Sequence, residues 1–323
     1  MKRIYWIFPD RSSTFQSNWE RTNFWDVYKK AAEESGFSME VVSAEAIEVI
    51  YLADHSTITK VYGQEVFVHD TIFVTEIHNF PHQQCDFMQM VNTFWTLRKL
   101  GFYLPIDPEL SLIMGDKLNT FLFFRDLELP VLPSIRIVCG RDLERHNLPS
   151  LLESFEFPLI IKPLGWGGGL GVNLATNYSE LKGILSLASG AETAMMIQPA
   201  LDSSKLVDYR VYFIDGSPHT ILSRRPQGGD IIANLSRGGE TGLITMPDGL
   251  NDLAAKVANE IQLPYCCVDF LYDGERYWLS EVELDGGIPY IYREESLQLL
   301  KRRFEAYGRA HRQFLLETAK GMK

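Results

Sequence analysis

Residues 268–287 read VDFLYDGERYWLSEVELDGG, and this stretch predicts a β-hairpin with carboxylates on both strands. Asp269 lies on the first strand, whereas Glu281 and Glu283 lie two residues apart on the second. Because side chains alternate along a strand, Glu281 and Glu283 share a face, and we expect the three carboxylates to converge. Such oxygen ligands suit a hard cation such as Mg²⁺. A solvated acidic edge is the alternative, which the apolar residues around Glu281 and Glu283 weaken.

A glycine-rich loop lies upstream of this hairpin. Residues 162–171 read KPLGWGGGLG, so that a predicted strand delivers Lys162 directly to the loop. Glycines let backbone N–H groups approach phosphate oxygens without a Cβ in the way, and a lysine adds a positive point charge. The spacing matches neither the Walker pattern nor the dinucleotide-binding glycine pattern. The loop is therefore a candidate phosphate site, with an ordinary flexible hairpin loop as the alternative.

A third candidate combines arginines with glycine pairs. Residues 224–229 read RRPQGG and residues 234–239 read NLSRGG. Arginine can hold a carboxylate or a phosphate through two parallel hydrogen bonds, and Asn234 can offer an amide oxygen to a metal. This segment could be a mobile, solvated surface loop, but the same glycines would also serve a lid over a cleft.

The order of predicted elements divides the chain into three parts. Strands and helices alternate over residues 1–112, which indicates a parallel α/β domain. A helix over residues 116–127 then leads into a compact α+β unit, and we place this central domain at residues 113–197. Residues 198–323 contain strands, a helix, the carboxylate hairpin and a long final helix. We therefore predict an α/β and α+β protein of three domains.

Composition restricts the partners and the compartment. The net charge of −11 disfavours nucleic acid and anionic membranes as partners, so a phosphate site must be a local basic pocket. No apolar stretch approaches the roughly 20 residues that span a bilayer, and the N-terminus is predicted to be a first strand rather than a signal peptide. Four cysteines without C-x-x-C spacing favour a reducing compartment, and we expect a cytoplasmic protein.

Three segments together resemble the ATP-grasp superfamily, and above all prokaryotic glutathione synthetase and the ribosomal-protein S6 glutamate ligase. They are KPLGWGGGLGV from Lys162, DYRVYFIDGSP from Asp208 with RRPQGGDIIANLSRGG from Arg224, and the hairpin VDFLYDGERYWLSEVELDGG. The resemblance is strong over residues 113–290 and only architectural over residues 1–112. It implies an ATP-grasp fold in which a central ATP-grasp domain with the glycine loop and a C-terminal domain with the metal site follow an N-terminal substrate domain.

The resemblance implies a nucleotide site. It assigns Lys117 and Lys162 to the ATP phosphates, Asp208 to the ribose and Asn234 to the same cleft. The phosphate loop would consist of Gly167, Gly168 and Gly169, and the adenine would lie against Gln198, Pro199, Ala200 and Leu201.

The resemblance also implies a chemistry. Arg210 and Arg225 would hold the acyl phosphate and the substrate carboxylate, and Arg237 would line the cleft. Asp269, Glu281 and Glu283 would hold Mg²⁺, with two ions expected and Mn²⁺ as a substitute. Where this chain has Glu283, the family usually has asparagine, so affinity for the second ion is expected to differ.

The implied activity is ATP-dependent ligation of a carboxylate to an amine or a thiol through an acyl phosphate, with ADP as a product. An amino acid or small peptide would be joined to a free amine or to a carrier protein, and a homodimer is expected by resemblance alone. Alternatives are a phosphotransferase on the same fold, a non-catalytic ATP-binding module, and glutathione synthetase itself. The segment after Glu283, LDGGIP, departs from glutathione synthetase.

Overall fold

A computed structural model describes residues 2–8, 20–77, 84–138, 143–228, 233, 239–289 and 291–321. The described elements form four sheets and the helices packed on them. No described helix has both the length and the apolar character that a membrane crossing requires.

The N-terminal part contains the predicted parallel sheet. Its middle strand pairs in parallel with both neighbours, in the order β2–β1–β6. An antiparallel meander, β3–β4–β5, was not predicted. The strands are β1 (Lys2–Ile7), β2 (Phe37–Val42), β3 (Ile47–Tyr51), β4 (Thr57–Val61), β5 (Gln64–Val66) and β6 (Thr71–Val74). The helices are α1 (Asp26–Glu34), α2 (Gln84–Lys99) and α3 (Pro108–Met114).

The central part begins with a helix shorter than predicted, α4 (Lys117–Phe123). The Asp116 side chain accepts hydrogen bonds from the backbone N–H groups of Leu118 and Asn119, which satisfies donors that a helix start leaves open. A four-stranded antiparallel sheet follows, in the order β7–β10–β8–β9. Its elements are β7 (Ile135–Val138), α5 (Leu148–Leu151), β8 (Leu159–Pro163), β9 (Asn173–Ala175), α6 (Tyr178–Gly190) and β10 (Ala194–Pro199).

The C-terminal part is a five-stranded antiparallel sheet in the order β13–β12–β11–β14–β15. A helix packs on one face, and the long final helix reaches back to the N-terminal part, where it packs on α1. The elements are β11 (Val207–Ile214), β12 (Ser217–Arg225), β13 (Glu240–Ile244), α7 (Leu250–Ile261), β14 (Tyr265–Tyr272), β15 (Tyr277–Glu283) and α8 (Arg293–Gly321).

The buried apolar residues form three clusters. The largest joins one face of the N-terminal parallel sheet to the C-terminal sheet and to α8. The second lies on the opposite face of the parallel sheet, under α2. The third belongs to the central sheet and α6. The N-terminal and C-terminal parts therefore share one core, which also includes Leu164 and Met196 of the central part, and the opposite face of the central sheet has a core of its own.

Candidate active site

A cavity of about 390 Å³ lies between the central sheet and the C-terminal sheet. Strand alternation determines which side chains of the central sheet line it. Ile160 and Lys162 on β8 lie opposite Gln198 and Met196 on β10, whereas the residues between them pack in the core under α6. Lys162 and Gln198 therefore face the cavity because their neighbours in the strand are committed to that core.

The C-terminal sheet supplies the opposite wall. In its register Asp208 pairs with Arg224, Arg210 pairs with Asp269, and Asp269 pairs with Glu281 across the hairpin. Cross-strand partners project to the same face of a sheet. One face of four neighbouring strands thus carries alternating acidic and basic side chains, and this face borders the cavity.

Two arginines hold the buried carboxylate of Asp269. The Arg210 Nε and Nη2 atoms donate to the two Asp269 oxygens at 2.8 and 2.7 Å, and Arg224 Nη2 donates to Oδ2 at 2.7 Å. Burial opposes ionisation of this group, but the two guanidinium groups outweigh it and hold the pKa of Asp269 below its ordinary value. Asp269 is therefore ionised, which is the form in which a carboxylate can bind a cation.

The three carboxylates of the hairpin do meet. One oxygen from each of Asp269, Glu281 and Glu283 lies within 4.8 Å of the others. Arg210 Nη2 also donates to Glu283 at 2.5 Å. Burial, together with the charges of Asp269 and Glu281, nevertheless raises the pKa of Glu283 to about 7. This cluster is a donor set of the kind that Mg²⁺ takes, and its charge is only partly balanced by arginine.

Two lysines approach the same cavity from the central part. Lys117 Nζ lies 3.2 Å from Glu281 Oε1 and donates to the carbonyl oxygen of Trp166 at 2.8 Å, which connects α4, the glycine loop and the carboxylates. Lys162 is 9% exposed. Burial, with a further contribution from the charge of Lys117, lowers its pKa to about 8. Two cations thus face one space, which favours an anion between them.

The glycine loop borders the cavity through the three predicted residues Gly167, Gly168 and Gly169. Gly168 and Gly169 have positive φ angles of 65° and 72°, which residues with a Cβ rarely adopt. Gly171 has a φ of 69°, and a Cβ there would lie 2.7 Å from Pro163 Cγ. The loop conformation therefore depends on glycine at these positions.

The model of the RimK-like ATP-grasp domain matches residues 132–302, which include β7 to β15 and the start of α8. The chain belongs to the RimK-like ATP-grasp family. The matched range holds Lys162, the glycine loop, both buried arginines and the three carboxylates, whereas Lys117 lies before it. The resemblance inferred from the sequence is thereby confirmed.

Curated relatives of this family member match over part of their length. A protein of Hydrogenovibrio crunogenus named "Probable alpha-L-glutamate ligase" is 26% identical over 134 residues, which cover 42% of this chain and 44% of the relative. A protein of Salmonella paratyphi B named "Ribosomal protein bS6--L-glutamate ligase" is 24% identical over 145 residues, covering 45% and 48%. The chain thus spans about half the length of the curated relatives it matches.

Solved structures match over nearly the whole chain. D-alanine--D-alanine ligase from Bacillus anthracis superimposes with a TM-score of 0.66 at 16% identity, covering 97% of this chain and 99% of that one. D-cycloserine synthetase DcsG superimposes with a TM-score of 0.67 at 15% identity, covering 96% and 99%. At these identities the likeness concerns the fold alone. The predicted ATP-grasp fold, with a parallel N-terminal sheet, is confirmed.

Most of the predicted site residues of this RimK-like ATP-grasp protein border the cavity between the central and C-terminal sheets. Asn234 and Arg237 lie outside the described residues, so their predicted roles stay predictions. The residues that line the cavity are Lys117, Lys162, Gly167, Gly168, Gly169, Gln198, Pro199, Ala200, Leu201, Asp208, Arg210, Asp269, Glu281 and Glu283.

Arg225 is not brought to the cavity. It is exposed at the end of β12, where it pairs with Glu240. Its neighbour Arg224 is buried, lies 2.8 Å from Asp208 Oδ2 and borders the cavity in its place. Successive strand residues point to opposite faces, so only one of two adjacent arginines can enter. The pairing of Asp208 with Arg224 across β11 and β12 is the signal that selects Arg224.

Proposed function

We propose that this chain is an ATP-dependent ligase that activates a carboxylate as an acyl phosphate, releases ADP, and transfers the acyl group to an amine. The observation that carries the proposal is the convergence of Lys117, Lys162 and three carboxylates on one cavity lined by the glycine loop. The fold likeness to a ligase whose structure is described as "complexed with ATP" supports a nucleotide there, with a TM-score of 0.64.

The basic and acidic residues of the cavity would have different roles. Lys117 and Lys162 would hold the phosphates of ATP, and the N–H groups of Gly167–Gly169 would enclose them. Asp269, Glu281 and Glu283 would hold Mg²⁺, which supplies charge neutralisation for the triphosphate when bound. Arg210 lies beside the carboxylates, where it would balance the charge that develops on the transferred phosphoryl group.

The end of the cavity where the adenine would lie is more apolar than the end with the lysines and carboxylates. Gln198 is buried, and its side-chain amide donates to Ser134 Oγ at 2.9 Å. Pro199, Ala200 and Leu201 continue this wall. Asp208 has one buried oxygen, Oδ1, without a hydrogen-bond partner, so it can accept from a ribose hydroxyl. The cavity thus has an apolar end and an ionic end, as a nucleotide requires.

The reaction needs no side-chain nucleophile. A carboxylate oxygen of the substrate forms a bond to the γ-phosphorus while the bond from that phosphorus to the ADP oxygen breaks. The amine nitrogen then forms a bond to the acyl carbon, the carbon–oxygen bond to phosphate breaks, and the amine releases a proton. Positioning and charge stabilisation supply the acceleration, and exclusion of water protects the acyl phosphate.

The relatives named as glutamate ligases favour L-glutamate as one substrate, and the name containing bS6 favours a polypeptide as the other. We propose this pair ahead of a carrier-protein thiol. We also propose a three-domain division at residues 112 and 197, a homodimer and a cytoplasmic location.

The test is ADP release by the full chain with ATP and Mg²⁺, over a panel of amino acids and peptides, with mass spectrometry of the products. We expect ADP and phosphate only when a carboxylate and an amine are both present. AMP and pyrophosphate as products would refute the acyl phosphate. A stable phosphorylated product formed without a second substrate would instead support the phosphotransferase alternative.

A further inference from the structure

The turn that follows β15 is held in place by side chains from three other elements. The backbone carbonyl oxygens of residues 285–287 all accept hydrogen bonds from buried donors on β11, β14 and α8. The donors are the Tyr212 hydroxyl, the Tyr265 hydroxyl, Cys267 Sγ and Arg303 Nη1. Because three successive carbonyl groups are tied to the surrounding core, the backbone of this turn has little freedom to shift.

Gly286 lies in the middle of this turn and directly beside the carboxylate cluster. It is buried, and a Cβ at this position would overlap Oε2 of Glu283. The same Cβ would lie 3.1 Å from Arg210 Nη1 and 3.0 Å from Cys267 Sγ. Arg210 in turn donates to the other oxygen of Glu283. The space that a side chain at position 286 would need is therefore occupied by one carboxylate of the cluster and by its arginine.

The backbone conformation of Gly286 does not by itself require glycine. Its φ lies outside the positive region that residues with a Cβ rarely adopt, whereas Gly168, Gly169 and Gly171 of the glycine loop lie within that region. An alanine at position 286 would therefore follow the same path of the chain. What excludes a side chain here is the presence of Glu283 and Arg210.

A methyl group added at position 286 would displace side chains rather than the turn. The turn is fixed by its four hydrogen bonds, whereas the Glu283 side chain can reorient by rotation about its single bonds. That rotation would carry the Glu283 carboxylate away from Arg210 and from the other carboxylates of the cluster. The fold would be retained, but the arrangement of the oxygen ligands would change.

We propose that Gly286 is a positioning residue of the cation site. Because it has no Cβ, the Glu283 carboxylate can meet Arg210 and lie together with Asp269 and Glu281 as one set of oxygen ligands. Gly286 is not itself a ligand and acts only through the two side chains that it leaves room for. The inference rests on the proposed function, in which these carboxylates hold Mg²⁺.

The experiment measures Mn²⁺ binding to the full chain by electron paramagnetic resonance of the free ion, with a non-hydrolysable ATP analogue present and a blank of the analogue alone. Gly286→Ala should bind Mn²⁺ about 10- to 100-fold more weakly than wild type, as is typical when a group that orients a metal ligand is changed. Gly242→Ala on β13 is the matched control and should bind as wild type does, because a Cβ there would lie at an ordinary contact distance of 3.5 Å from Ser223 Oγ. Without Mn²⁺, both variants should melt within about 4 °C of wild type.

A shorter side chain at position 283 separates this role from a general structural one. Asparagine withdraws its oxygen from position 286 by one methylene, so Gly286→Ala should weaken Mn²⁺ binding by less than about threefold in a Glu283→Asn background. Damage to the turn itself would cause the same loss in both backgrounds. That result, or a Gly286→Ala variant that binds Mn²⁺ as tightly as wild type, would overturn the inference while the proposed function stands. Wild-type protein that binds no Mn²⁺ would instead overturn the proposed cation site, and the inference with it.

Discussion

Replacement of Lys162 by methionine should stabilise the protein while it weakens ATP binding. Lys162 is buried on the cavity face of β8, and its pKa falls from 10.5 to about 8 because burial and the nearby charge of Lys117 disfavour the ammonium form. The protonated lysine therefore costs stability in the absence of an anion. Methionine has a similar length and carries no charge to desolvate.

The magnitude follows from the two pKa values. At about 1.4 kcal/mol per pH unit, a fall from 10.5 to about 8 corresponds to about 3 kcal/mol of lost stability. The unfolded chain binds the proton more tightly than the folded chain does. The penalty is therefore fully present below pH 8, shrinks as the pH rises, and vanishes above 10.5.

The assay is urea denaturation of wild type and Lys162→Met at a series of pH values, without nucleotide. We expect the variant to be more stable by up to about 3 kcal/mol near neutral pH, and the gain to disappear toward pH 10.5. Lys182→Met, on the exposed face of α6, is the matched control and should show no such pH dependence.

The same substitution should weaken ATP binding although it raises stability. Loss of a charged hydrogen bond to phosphate should weaken the affinity of Lys162→Met about 10- to 100-fold, from about 1.5–3 kcal/mol. Wild-type affinity should itself fall as the pH passes 8, because the lysine loses its charge. A variant that is less stable than wild type at neutral pH, or that binds ATP equally well, would refute the assignment of Lys162.

Three further substitutions test the site. Asp269→Asn leaves two buried arginines without their shared anion and should cost about 3–5 kcal/mol in urea denaturation; a loss below about 1 kcal/mol would contradict this. Arg224→Ala should weaken ATP binding in calorimetry at least tenfold, while Arg225→Ala should change it less than twofold; equal effects would mean that the exposed arginine also enters the site. Glu283→Asn should keep ADP release in a coupled assay, because the amide still offers an oxygen; near-complete loss of turnover would count against its assignment as a metal ligand.

Local patterns were sufficient to predict that the three carboxylates and Lys162 belong together, but not which arginine joins them. Glu281 and Glu283 lie two residues apart on one strand, which indicates that they share a face. Asp269 pairs with Glu281 across the hairpin and so lies on the same face. Lys162 was recognisable because a glycine loop follows its strand at once. In both cases the chemistry depends on residues close in sequence, so a short segment contains the information.

Longer-range features could not be predicted in this way. Arg224 and Arg225 are equivalent by sequence, and only the pairing of β11 with β12 shows which one points inward. The meander of β3, β4 and β5 lies outside the α/β alternation that predicted the parallel sheet.

The distribution of hydrophobic cores has a mechanical consequence. The two ends of the chain are joined in one core that also includes Leu164 and Met196 of the central part, whereas the other face of the sheet that carries Lys162 has a core of its own under α6. Rotation of the central sheet about its connecting segments would therefore move Leu164 and Met196 against the shared core, while the core under α6 would move with the sheet as a rigid piece. Opening and closing of the cleft would then move Lys162 and the glycine loop together, relative to the three carboxylates on the C-terminal sheet. Nucleotide exchange and substrate entry would become two stages of one hinge motion.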